Sequence, residues 1–227
     1  MSRLRRFVSG LAALRDRLLP EQPNFYHLLE AAAAEVQKCT AQAQRCCSAT
    51  SDAAGRHNAF ETFATHRLAA RRAVKAIKRE VDSTFLPPIN DVQSHALAEA
   101  LGAVVRAVKM ALRDAEFFDF PPEIEGVVEM GELILNAGKD VERGVGLLRL
   151  KKWDELTELT HSVRDLEERS DTIALAALRR LNEADLETVV EYRRLSNAQK
   201  YLSNLETVLD RCAAVAHVLQ TISSGNR

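Results

Sequence analysis

Six stretches of this chain repeat apolar residues at alternating steps of three and four. That spacing gathers them on one stripe of a helix, and the stripe must be buried against other helices. The first stripe runs Phe25, Leu29, Ala32, Val36, Cys39, Ala43 and Cys46, and the second, less regular, runs Phe63, Ala70, Val74, Ile77 and Val81. The third is Leu97, Leu101, Val104, Val108 and Ala111. In the fourth, Ile124, Val127, Gly131, Ile134, Gly138, Val141, Val145 and Leu148, two glycines give up helix propensity and let a neighbouring backbone come close. The fifth is Leu156, Leu159, Val163, Leu166, Ser170, Ile173 and Ala177. The sixth keeps unbroken heptad phase through Leu195, Ala198, Leu202, Leu205, Leu209, Cys212, Ala216 and Leu219. Breaks are expected near Gly55, Leu86-Pro87-Pro88, Phe120-Pro121-Pro122, Lys152-Trp153 and Asn182-Glu183. The fold class is therefore all-α, with six long helices.

Pro23 before the first helix matches Pro121 before the fourth, so the halves read as a duplication: two three-helix bundles related by a pseudo-twofold axis. We place the first bundle at residues 23–117 and the second at 118–227, packed as one domain. Residues 1–22 form an N-terminal arm. Its Leu4, Phe7, Val8, Leu11, Leu14 and Leu18 alternate with Arg3, Arg5, Arg6, Arg15 and Arg17. Such a basic amphipathic helix suits an anionic membrane surface, a partner helix or the bundle's own end. Acidic and basic residues number 32 and 31, which removes the positive field that non-specific nucleic-acid binding needs. No apolar run reaches the roughly 20 residues that span a bilayer, and the start resembles no signal peptide, so a cytoplasmic protein with reduced thiols is expected. Cys39, Cys46, Cys47 and Cys212 form no Cys-x-x-Cys pair, and Cys39, Cys46 and Cys212 fall on seams, as small core hydrophobes do.

The chemistry-bearing pattern is a doubled one. Glu167 and Asp171 in the fifth helix, and Glu206 and Asp210 in the sixth, are each a Glu and an Asp four residues apart on one face. Like charges at that spacing repel, and a hard cation ligated by carboxylate oxygens would neutralise them. All four follow a seam residue directly, so antiparallel neighbours can bring them to one edge. The alternative is an ordinary solvated face in which Arg164, Arg169 and Arg211 serve as ion-pair partners. Glu158-x-x-His161 resembles half of a di-iron carboxylate site, but that chemistry needs two such strings, and this chain has one. His27, His57, His66, His95 and His217 show no ligand spacing and read as surface or capping residues. No constellation suggests nucleophilic catalysis, so no catalytic residue is assigned and the chain is expected not to be an enzyme.

Several local strings, in their order and spacing, resemble the PhoU-like family, and within it the Pit accessory or phosphate transport regulator branch. They are Leu18-Leu19-Pro20 with Phe25-Tyr26-His27-Leu28-Leu29, then Ser83-Thr84-Phe85-Leu86-Pro87-Pro88, then Leu97-Ala98-Glu99-Ala100-Leu101. The two Glu-x-x-x-Asp motifs and Asp210-Arg211-Cys212 with Val215-Ala216 complete the set. The resemblance spans nearly the whole chain. It implies paired three-helix bundles and control of inorganic phosphate uptake by contact with a Pit-type permease at the cytoplasmic face. It also implies self-association into a homo-oligomer and metal clusters on Glu/Asp-x-x-x-Asp motifs. Those motifs map onto Glu167, Asp171, Glu206 and Asp210; the metal implied is iron, while oxygen donors equally suit manganese, magnesium or calcium. The first half departs from the pattern. Arg67 and Arg71 stand where acids belong in helix two, and Gly102, Ala103 and Arg106 stand where they belong in helix three, so at most one cluster remains. These arginines fit either an anion such as phosphate or surface ion pairs. A helical scaffold that binds no metal is the alternative reading of the whole chain.

Overall fold

The computed structural model describes residues 23–49, 52–84, 88–120, 124–183 and 187–226, so the N-terminal arm lies outside the described residues. Six helices occupy almost all of them: α1 (Pro23–Ser48), α2 (Ala53–Ser83), α3 (Asp91–Phe117), α4 (Val127–Leu150), α5 (Trp153–Asn182) and α6 (Val189–Gly225). The helix boundaries follow local chemistry. Asp52 and Asn90 cap α2 and α3 by accepting the Ala54 and Val92 amides. At α6, Thr188 and Glu191 form a reciprocal capping box. Gly55, which the sequence suggests as a break, lies inside the first turn of α2; the break falls before it because Asp52 supplies the cap. None of the six helices is long and apolar enough to cross a membrane.

Helices α1, α2 and α3 pack on one another, as do α4, α5 and α6, and the halves meet through α1 against α4 and α3 against α6. Both inter-half pairs are antiparallel. Arg149 near the end of α4 donates to Glu30 near the start of α1, and Asn204 early in α6 donates to the buried Asp114 late in α3. The seams read from the sequence are the buried surface, with Val74, Leu166, Ile173 and Leu195 only partly covered.

The burial pattern agrees with an internal duplication in the register that Pro23 and Pro121 suggest. Ala32, Val36, Thr40, Ala43 and Cys47 correspond to Met130, Ile134, Gly138, Val141 and Val145, every one buried. Ala59, Phe63, Ala70 and Ile77 in α2 correspond to Leu159, Val163, Ser170 and Ala177 in α5. Leu101, Val105, Val108 and Leu112 in α3 correspond to Leu205, Leu209, Cys212 and Ala216 in α6. Where α1 crosses α4, Thr40 packs on Gly138, its own equivalent in that register, as a pseudo-twofold relation between the halves requires. A Cβ on Gly138 would overlap the Thr40 side chain, and one on Gly131 would lie 2.6 Å from Cys47 Cβ. These are the close backbone approaches that the two glycines of α4 permit. All four cysteines are buried, and none forms a disulfide. Burial raises the Cys47 thiol to about 12, against a partly offsetting hydrogen-bond contact with the Tyr201 hydroxyl at 3.5 Å.

Candidate functional site

The exposed edge between α5 and α6 collects acids. Glu167, Asp171 and Asp210 each bring a carboxylate oxygen to within 4.8 Å of the other two, and the Glu206 carboxyl, when protonated, can donate to Asp171 beside it. The four carboxylates singled out by spacing thus lie together, two from each helix. Their placement follows from register: Leu166, Ser170, Leu205 and Leu209 turn into the bundle, and each acid, one position later, falls at the rim.

No ion pair among the described residues neutralises this edge. Arg164 donates instead to Gln220 at 2.6 Å, and Arg169 reaches Glu129 at 3.5 Å. Arg211 makes no ion pair with the four; its charge lowers Asp210, but burial and Asp171 outweigh it. Partial burial, then the charges of Asp171 and Asp210, push the Glu167 carboxyl above its ordinary range. Glu206 rises for the same reasons, aided by Asp171, which favours its protonated form as a donor. Asp210 rises through burial and Asp171. Raised carboxyls mean that the folded chain holds these negative charges at a cost. Among the described residues no other group of three or more metal-ligating side chains converges.

At the equivalent edge of the first half the sign is inverted. Matched burial puts Arg67 and Arg71 in the places of Glu167 and Asp171, and Gly102 and Arg106 in those of Glu206 and Asp210. Arg106 pairs with Glu99 at 2.7 Å, as surface ion pairing predicts, but no described acid lies within ion-pair distance of Arg67 or Arg71. Lys75, Lys78 and Lys109 line the same groove. Reading the arginines alone missed these lysines, although Arg67, Arg71 and Lys75 already form a ladder of steps of four. The histidines lie at or near the surface as expected: His57 meets Glu116 at 2.8 Å, and His66 meets Glu35 at 3.0 Å. Glu158 and His161 are both exposed and point away from the bundle interior that a di-iron site would need.

Comparison with known proteins defines the class by fold. No family model matches the chain, and no curated protein is similar enough in sequence to match it. Solved structures do match. A PhoU-like protein from Shewanella oneidensis MR-1 superposes with a TM-score of 0.70 at 15% identity, over 88% of this chain and 99% of that one. A second structure from that organism, provisionally described as a PhoU-like phosphate regulatory protein, gives the same values. PhoU from Pseudomonas aeruginosa superposes with a TM-score of 0.61 at 17% identity, over 89% and 97% of the two chains. The chain thus has the six-helix fold of PhoU-like proteins.

Proposed function

We propose that this protein is a non-enzymatic regulator of inorganic phosphate transport that acts by contact with a phosphate permease and carries a metal ion on its α5–α6 edge. One observation carries the reading: on a fold shared with a structure described as phosphate regulatory, three carboxylates converge with Glu206 beside them, and no described cation forms an ion pair with them. The residues fit a metal. An ion bound through oxygens at about 2.0 to 2.6 Å spaces its ligand atoms by no more than about 4 to 5 Å, and three oxygens here lie within 4.8 Å. With no nitrogen or sulfur in the set, the donors suit a hard ion: iron(III), manganese, magnesium or calcium. Glu167, Asp171 and Asp210 would be direct ligands, and Glu206 would hold Asp171 in place or join them. Neutralising the edge would tie α5 to α6. A permease could sense that tie through the surface the two helices present, which makes the ion a structural or sensing element.

The cytoplasmic face of the membrane, a Pit-type permease and assembly as a homo-oligomer complete the proposal, resting on the sequence resemblance. The test has two arms. Protein purified without a nickel column is analysed for metal, before and after reconstitution, alongside Asp171→Asn/Asp210→Asn; we expect bound metal in the wild type and its loss in the variant. No metal after reconstitution would remove the site. Capture of the tagged full chain from native membranes should recover a phosphate permease. Recovery of only an unrelated complex would favour the scaffold reading.

A further inference from the structure

The groove between α2 and α3 carries a ligand hypothesis of its own. Its volume is about 530 Å³, within the range of small-molecule sites and far more than a single phosphate ion fills. Six cations line it, Arg67, Arg71, Lys75, Lys78, Arg106 and Lys109, against one carboxylate, Glu99. Glu99 is engaged by Lys78 and Arg106, each at 2.7 Å. Arg67, Arg71, Lys75 and Lys109 have no described acid within ion-pair distance. Four uncompensated cations beside an apolar floor of Ala70, Val74 and Val105 are mutually unfavourable, and a low-dielectric floor strengthens any charge that approaches.

The shape selects among anions. Arg67, Arg71, Lys75 and Lys78 climb one face of α2 over three turns, about 16 Å of helix. A compact ion would engage one rung and leave the rest repelling, whereas a linear anion with repeated charges satisfies the ladder. Guanidinium groups bind phosphate oxygens in bidentate fashion. The groove lining contains no aromatic residue, so it offers no stacking platform for bases. Gly102 stands where the second half has Glu206, and its missing side chain helps keep the groove open. We infer that the α2–α3 groove binds a soluble anion carrying two or more linked phosphate groups, an oligophosphate. This stands independently of the transport reading and of the acidic edge.

Calorimetry on the full chain with inorganic tripolyphosphate tests it, performed on the wild type and on Asp171→Asn/Asp210→Asn so that metal on the acidic edge cannot mediate binding. We expect one site in both proteins, weakening between about 50 and about 200 mM salt, with orthophosphate bound about tenfold more weakly or worse. Arg67→Glu/Arg71→Glu should weaken tripolyphosphate by about tenfold or more without lowering the melting temperature. Glu99→Gln, which frees Lys78 and Arg106, should strengthen it several-fold. Absence of binding overturns the inference, as does binding that Arg67→Glu/Arg71→Glu leaves unchanged or that Glu99→Gln weakens. Loss of binding in Asp171→Asn/Asp210→Asn, or preference for phosphatidylglycerol vesicles or single-stranded nucleic acid over tripolyphosphate, would equally sink it.

Discussion

Asp171 sits among charges of its own sign, one turn from Glu167 in α5 and across a helix boundary from Glu206 and Asp210. Burial and these neighbours raise the carboxyls of Glu167, Glu206 and Asp210. A raised acid holds its proton longer in the folded state than in the unfolded one. Without metal, its contribution to stability is therefore highest below the unfolded value, falls as pH rises through the window up to the folded value, and stays low above it. Asp171→Asn should remove part of that penalty: in metal-free protein we expect a rise of about 0.5 kcal/mol at pH 7, about 1 to 2 °C in melting temperature, shrinking towards pH 4. Paired melts of wild type and variant isolate the effect, because Glu35, Glu99 and Glu191 are lowered by their partners and slope the other way. With metal added the order should invert, the wild type becoming the more stable. The positions of these four acids were legible from spacing and seam phase. Their lack of ion-pair partners was not, because Arg164 and Arg169 are close in sequence and only side-chain direction sends them to Gln220 and Glu129.

Among the elements, α4 is the most tightly constrained, because two of its glycines meet α1 side chains at the approach of the two halves. Gly138→Ala gains about 1 kcal/mol in helix propensity but forces a methyl group into Thr40, an overpacking cost of about 1 to 3 kcal/mol or more. We expect a net loss, seen as a lower urea midpoint. Gly146→Ala on the same helix meets nothing within 4 Å and should raise that midpoint, so the pair separates packing from propensity. At the start of α6, Thr188→Ala removes the cap on the Glu191 amide and should cost about 1 kcal/mol. Helix identity and buried faces were readable from the sequence because a period of 3.6 leaves one consistent stripe. The start of α2 was not: glycine reads as a breaker, while the cap at Asp52 moves the boundary ahead of it. Which helices pair across the halves was also hidden, since nothing local links Thr40 to Gly138 before the duplication is folded.

At the scale of the whole molecule, the duplication gives two equivalent edges on one scaffold, and the halves have taken opposite charge at the same positions. The backbone, then, does not decide the sign of charge that each edge carries at these places; four side chains do. Replacing Arg67, Arg71, Gly102 and Arg106 with the residues of their partners, as Arg67→Glu, Arg71→Asp, Gly102→Glu and Arg106→Asp, should rebuild the acidic edge between α2 and α3. The scaffold has room: a Cβ at Gly102 meets only Arg106 Nη1 at 3.4 Å and Val74 at 3.8 Å, and the arginine leaves in the same variant. The glycine substitution also adds helix propensity, Arg67 and Arg71 hold no described acid whose pairing would be lost, and the Arg106–Glu99 pair that is lost lies on the exposed surface. If the acidic edge binds metal, the fourfold variant should roughly double the metal per chain, measured by elemental analysis after reconstitution, and should bind tripolyphosphate far more weakly. Lys75, Lys78 and Lys109 remain at the new edge and repel cations, so the second site should be the weaker and should gain when Lys75→Ala is added. Unchanged metal content in a folded fourfold variant would mean that the α5–α6 edge depends on something outside its four carboxylates.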